Sequence, residues 1–82
     1  MQNHPNPFSD HTSIEFHLPA SSKVDLQVTD MSGRVVHSQS GYYHTGKNTI
    51  QLSNSDINGS GVMYYTLQSD TNKETRRMIV LQ

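Results

Sequence analysis

Apolar and polar residues alternate at the start of residues 24–36, whose sequence is VDLQVTDMSGRVV. Val24, Leu26 and Val28 are separated by single polar residues, and this period of two places them on one face of a β-strand. The tetrapeptide DMSG that follows joins a side chain able to accept backbone N–H groups to a glycine free to take positive φ, which is typical of a turn. Because RVV then starts a second β-prone run, the segment predicts a β-hairpin.

Four more runs show the same alternation and predict strands: residues 12–18, 48–52, 62–69 and 74–81. In the third run, the alternation that includes Leu67 places Met63 and Tyr65 on the buried face and Tyr64 on the opposite face. A turn at residues 70–72 is expected to join the last two strands as a hairpin.

The N-terminal segment is expected to be an extended arm, residues 1–10. Pro5 and Pro7 favour extended geometry in the residues that precede them. Phe8 is the one apolar residue among turn formers there, so we expect it to anchor the arm by burial.

Two connections are rich in turn-forming residues. Residues 53–61 predict an irregular connection in which Ile57 is a buried plug. In residues 38–46, Gly41 and Gly46 are expected to mark turns on either side of two tyrosines.

Six or seven short strands at a spacing of roughly 8–12 residues, with turn signals between them, are typical of all-β domains. No window shows the 3.6-residue apolar stripe of an amphipathic helix. The 82 residues fit one domain. The pattern therefore predicts an antiparallel β-sandwich with Greek-key connections, a small barrel being the less favoured alternative.

The composition narrows the classes of function. Hydrophobic residues make up 32% and charged residues 16%, with a formal net charge of -1. Grouping of the apolar residues in alternating runs favours an ordered chain. The absence of cysteine excludes disulfides and Cys-based zinc sites. Six Lys plus Arg in a near-neutral chain give no case for a nucleic-acid partner.

The sequence gives only weak signals for a catalytic site or a metal site. A chain this short, without helices or long loops, has little material for a catalytic pocket, so an enzyme is not expected. The five histidines lack metal-ligand spacing, and His11 and His17 would stand about 20 Å apart on an extended strand. No cofactor is expected.

Residues 56–61, DINGSG, copy the opening of a calcium-binding loop. The twelfth position, where such a loop needs a bidentate carboxylate, is Leu67. A turn before the strand at residues 62–69 is therefore the preferred interpretation.

Two surface features allow a functional interpretation. Arg76 and Arg77, with Lys73 nearby, predict a basic patch that protects the last strand from aggregation or docks an acidic partner. The tyrosine pairs 42–43 and 64–65 would form a sugar-stacking platform only if both rings of a pair faced outward. Because neighbouring residues of a strand point to opposite faces, one ring inward and one outward is the expectation.

Four segments, HPNPFSDHTSIEFHLP, VDLQVTDMSGRVV, INGSGVMYYTLQS and RRMIVLQ, resemble in order and spacing the type A C-terminal sorting domain of the type IX secretion system of Bacteroidetes. The resemblance covers essentially the whole chain. It implies an immunoglobulin-like sandwich of about seven strands. One departure from the family pattern is Met63, where an aromatic residue is usual.

The resemblance implies a secretion signal at the end of a longer precursor. Type IX translocon components would recognise the domain and carry the fused N-terminal cargo from the periplasm across the outer membrane. A sortase would then remove the domain and leave the cargo at the cell surface or in the medium. The cleavage site is expected outside this sequence, and pairing of copies through an edge strand stays open.

The family pattern also maps onto particular residues. In the N-terminal arm it covers Pro5, Asn6, Pro7 and Phe8. The candidates for recognition by the translocon are Asp30, Gly33, Arg34, Gly61, Tyr64, Arg76, Arg77, Met78, Ile79, Val80 and Leu81. Turn geometry explains the aspartate and the glycine of the hairpin, whereas Arg34 is expected to have no role in the turn. The final strand is expected to be read by edge pairing and charge.

Two alternatives come from other classes of protein. A carbohydrate-binding or adhesive sandwich attached to a secreted enzyme would use the tyrosines. A structural immunoglobulin-like module, similar to the one in flagellar hook-capping proteins, would share the hairpin.

Overall fold

The computed structural model describes residues 10–57 and 59–81. Six strands account for most of them: β1 (His11–Leu18), β2 (Ser22–Asp30), β3 (Val35–Tyr43), β4 (Gly46–Ser53), β5 (Gly61–Gln68) and β6 (Lys73–Val80). A single 3-10 turn, Asn54–Asp56, follows β4. The predicted N-terminal arm with its Phe8 anchor lies outside the described residues.

The strands form two antiparallel sheets that face each other as a sandwich. One sheet is the pair β1-β4, and the other has the order β3-β2-β5-β6. The chain leaves the larger sheet after β3, crosses to β4, and returns to place β5 beside β2. This confirms the predicted antiparallel sandwich, and the described strands number six.

Alternation along each strand builds the core. In β2 the side chains of Val24, Leu26 and Val28 are buried, and the residues between them are exposed. The predicted inward face of β5 is confirmed, since Met63 and Tyr65 are buried. The complete apolar core consists of Ile14, Phe16, Leu18, Val24, Leu26, Val28, Ile50, Leu52, Ile57, Met63, Tyr65, Leu67, Met78 and Val80. Its members come from both sheets and include the predicted plug of the 53–61 connection.

Strand β3 differs from the prediction. Gly41 was expected at a turn, but it lies inside β3, opposite Val24 of β2. The Tyr43 ring occupies the space beside this glycine, and a Cβ atom on Gly41 would stand 3.3 Å from Tyr43 Cε1. The prediction was wrong because the glycine makes room for an aromatic ring and does not reverse the chain. A register shift after Val28 places a β-bulge in the same hairpin.

Different turns and chain segments lie at the two ends of the sandwich. We call "hairpin end" the end at which β2 passes into β3. Asp10, residues 54–57, residues 59–60 and Leu81 also lie there. Asp10 is held by its carbonyl, which accepts the Asn54 N–H at 2.8 Å. At the opposite end the buried Ser22 hydroxyl donates to the Lys23 carbonyl and accepts the Asp70 N–H at 3.1 Å. No helix in the described ranges is long and apolar enough to cross a membrane.

Candidate functional site

The β2–β3 turn is organised by one carboxylate. Asp30 Oδ1 accepts the Ser32 hydroxyl at 2.6 Å, the Ser32 N–H at 2.9 Å and the Arg34 N–H at 3.0 Å. Chiefly the Ser32 hydroxyl, and next the Arg34 N–H, hold the pKa of the Asp30 carboxyl below its usual value. Gly33 closes the turn with φ +89°, a conformation that glycine adopts without steric cost.

Arg34 has a role in this turn, which corrects the prediction that it has none. Its backbone N–H and carbonyl both bond to Asp30, and its Nε lies 3.3 Å from Asp30 Oδ2. The side chain is nevertheless 72% exposed, so the guanidinium presents charge to solvent while it contacts the carboxylate. An exposed ion pair of this kind contributes little to stability, and recognition of Arg34 by a partner is compatible with it.

The register of the larger sheet brings distant residues together on its outer face. Val35 pairs with Thr29, Thr29 pairs with Tyr64, and Tyr64 pairs with Arg77. These four side chains form one row across all four strands, because directly paired residues share a face. Val62 and Ile79 pair with each other one step nearer to the hairpin end. We call Val35, Val62, Tyr64, Arg77 and Ile79 the hairpin-end face.

The sequence-predicted candidates therefore separate into three groups. Tyr64, Arg77 and Ile79 lie on the hairpin-end face, while the 30–34 turn, Gly61 and Leu81 lie at the same end of the sheet. Met78 and Val80 point inward and are buried in the core.

Arg76 lies neither on the hairpin-end face nor at the hairpin end of the sheet. It pairs with the buried Tyr65, so it shares the inner face of the sheet, and its guanidinium lies 2.9 Å from Glu74 Oε1. Arg77 is on the outer face. The basic patch predicted from the neighbouring arginines is therefore divided between two faces.

A cavity of about 380 Å³ opens between the two sheets at the end opposite the hairpin. Phe16, Leu18 and Leu67 form part of its apolar lining, and the ion pair between Arg76 and Glu74 borders it. Sequence reasoning did not find this cavity. Its apolar residues read as ordinary core positions, and only the three-dimensional spacing of the sheets shows that they line an opening.

The segment that resembles a calcium loop has structural roles instead. No cluster of His, Cys, Asp or Glu suited to a metal ion occurs within residues 10–57 and 59–81. In the segment that resembles a calcium loop, the Asp56 carboxylate accepts the Ser53 N–H at 3.0 Å as part of a capping box. Leu67 is buried in β5.

The tyrosines do not form a common platform. Tyr43 packs inward against Phe16 with an edge-to-face geometry and a centroid distance of 5.2 Å, while Tyr42 is exposed. Tyr65 is buried and Tyr64 is partly exposed, which confirms one ring inward and one outward in each pair. The partners of the two outward rings in β2, positions 23 and 29, are separated by about 20 Å of strand.

Comparison with protein families shows to which family the chain belongs. The family model of the secretion system C-terminal sorting domain matches residues 3–81. The chain belongs to this family. The comparison with curated proteins finds no match, and neither does that with solved structures.

Membership identifies the chain as a sorting domain of the type IX secretion system. A sorting domain of this family marks an attached cargo for export to the cell surface or medium.

Proposed function

We propose that this sorting domain directs a cargo fused to its N-terminal side through the type IX translocon across the outer membrane, and that a sortase then removes the domain. The observation that carries the proposal is the family match over residues 3–81. The role is one of recognition and not of catalysis. A self-contained sandwich suits it, because the label stays folded independently of the cargo.

The geometry supports recognition at the hairpin end. The first described residue, Asp10, is held at that end, where its carbonyl accepts the Asn54 N–H. A cargo on the N-terminal side would then be joined to this end through residues 1–9. A translocon that contacts this end would hold the label beside the chain that it has to export.

A fusion experiment tests the function. Residues 1–82 are fused behind a fluorescent protein that reaches the periplasm, in a cell with a working type IX system. The expected result is reporter at the surface or in the medium, and periplasmic reporter in a strain that lacks the translocon. The matched control is the reporter without the domain. Equal distribution of the two reporters in the competent cell contradicts the proposal.

A second strain tests removal of the domain. In a cell without sortase activity, exported reporter should still carry an epitope placed in the sorting domain, whereas the parent cell should release reporter without it. Loss of the epitope in both strains would show that the sortase is not responsible.

Deletion of the last residues is a poor test of recognition. Removal of residues 78–82 takes away Met78 and Val80, which are core side chains, so failure of export would report unfolding. Substitutions on the outer face leave the core intact.

A further inference from the structure

Exposed apolar side chains are concentrated at the hairpin end. Within the described ranges, the large hydrophobic residues that are exposed are Met31, Val35, Tyr42, Tyr64 and Leu81. All except Tyr42 lie at the hairpin end. Four residues gathered from the β2–β3 turn, β3, β5 and the end of β6 make a patch, whereas single exposed apolar residues are ordinary.

The rest of the outer face has the composition of a solvated sheet surface. Beyond the row that contains Tyr64, the paired rows consist of Ser38, Gln27, Thr66 and Thr75, and then of Ser40, Asp25, Gln68 and Lys73. The change from polar to apolar positions along the same strands confines the patch to one half of the sheet.

Two arginines and one aspartate carry the charges beside the patch, and Arg34 and Asp30 form an ion pair. Arg34 and Arg77 are both exposed there. The carboxylate of Asp30 is engaged by the turn. Asp10 and Asp56 also lie at this end, but they flank β1 and β4 of the other sheet.

We propose that the hairpin-end face, together with Arg34, is a docking surface for a protein partner that presents an apolar centre bordered by carboxylates. This inference rests on the proposed function and describes the chemistry of the translocon surface that reads the label. Tyrosine and arginine supply a large share of binding energy at protein interfaces, and this face provides both. Complementary charge at its border would orient the encounter.

Other occupants fit the same face less well. A second copy in a two-fold contact would bring the arginines of both copies together, and like charges oppose such a contact. An anionic membrane surface is attracted by clusters of about four to eight Lys and Arg, and two arginines fall short of that.

Paired substitutions in the reporter fusion test the proposal. Tyr64→Thr removes the ring and places a β-branched residue, which suits a strand, in β5. Tyr42→Thr is its control at the opposite end. Arg77→Glu reverses a charge on the face, and Lys73→Glu makes the same reversal on the same face of β6, four residues away. Val35→Thr is a second variant of the face, which decides the outcome if Tyr64→Thr lowers the melting temperature.

Export should fall by at least about tenfold for Tyr64→Thr and Arg77→Glu and stay within about twofold for the two controls. Equal effects of test and control variants would contradict the docking role of the hairpin-end face, and so would export of all variants at the parent level. Either result leaves the sorting function in place. Failure of the parent fusion to be exported overturns the function itself.

Two measurements on the isolated chain address the other occupants. In sedimentation velocity, the amount of dimer should be the same for the parent and for the Arg77→Glu variant. In flotation with phosphatidylglycerol vesicles, the two proteins should be recovered in equal amounts. A difference in either measurement replaces the protein partner by a second copy or by a membrane.

Discussion

At the scale of single residues, Asp30 connects turn geometry to the surface that we propose to be recognised. One oxygen of its carboxylate holds Ser32 and the Arg34 backbone, and the other contacts the Arg34 side chain. The residue therefore fixes where the guanidinium can stand. The Asp30 side chain therefore both stabilises the turn and positions the Arg34 side chain.

The charge of Asp30 predicts a pH dependence of stability. The folded pKa lies below the ordinary value of 3.8, so the folded state prefers the ionised form. Its contribution to stability is complete above that value and is lost as the pH falls through the folded pKa. Asp30→Asn keeps one acceptor oxygen and removes the charge. The melting temperature of the variant should be lower than that of the parent at neutral pH, and the difference should shrink in acid.

Thermal melts of both proteins between about pH 7 and pH 2 measure this difference. Asp25→Asn is the control, because Asp25 is exposed and its contact with Lys23 is 4.0 Å long. A difference for Asp30→Asn that is as large in acid as at neutral pH would show that hydrogen-bond geometry, and not charge, is responsible.

At the scale of elements, strand β6 serves two purposes on its two faces. Met78 and Val80 complete the core, while Arg77 and Ile79 face outward. The apolar run 78–81 therefore combines structural and surface positions in alternation. Within the described residues β6 pairs with β5 alone and forms one edge of its sheet.

Substitutions along β6 should separate these purposes. Met78→Ala creates a cavity at a fully buried site and should lower the free energy of unfolding by about 2–5 kcal/mol. Ile79→Ala removes a partly exposed side chain and should cost about 1 kcal/mol or less. Urea denaturation of both variants measures the two values. Similar losses would show that the outer face packs against something in the folded chain.

Local pattern was sufficient to predict β1, β2, β4, β5 and β6, because a period of two in the sequence is also the period of burial along strands such as β2 and β5. It did not predict β3 beyond its first residues, since residues 38–46 were expected to form a turn-rich connection. It failed at Gly41, since nothing local shows that the Tyr43 ring fills the space beside that glycine. It could not assemble the hairpin-end face either. Val35, Tyr64 and Arg77 become neighbours only through the register of four strands, and register between distant strands is a property of the folded sheet.

At the scale of the whole molecule, the two ends of the sandwich differ in the residues and openings that they present to solvent. Among the described residues, the hairpin end carries four of the five large exposed hydrophobic side chains, and Asp10 is held there. The opposite end carries the 69–72 turn, tied to Ser22, and the cavity between the sheets. Strands of eight residues separate the two ends by about 26 Å.

This polarity predicts where the sorting domain tolerates an insertion. A short epitope between Thr71 and Asn72 should leave export of the reporter within about twofold of the parent, since exposed turns accept insertions. The same epitope between Met31 and Ser32 should abolish most of the export, because it stands beside the docking surface. Circular dichroism melts control for folding. Equal export of the two insertion variants would contradict recognition at the hairpin end.

The position of Asp10 also determines how the molecule responds to tension. If the domain is held by its hairpin-end face and tension reaches Asp10 from the N-terminal side, both loaded points lie at the same end. The line between them then runs across the strands. The β1–β4 ladder is then loaded at its first pair, His11 and Ser53, and opens one pair at a time toward Leu18. Bonds loaded in succession yield at lower force than bonds loaded together. Under this loading the β1–β4 pair is expected to open before the four-stranded sheet.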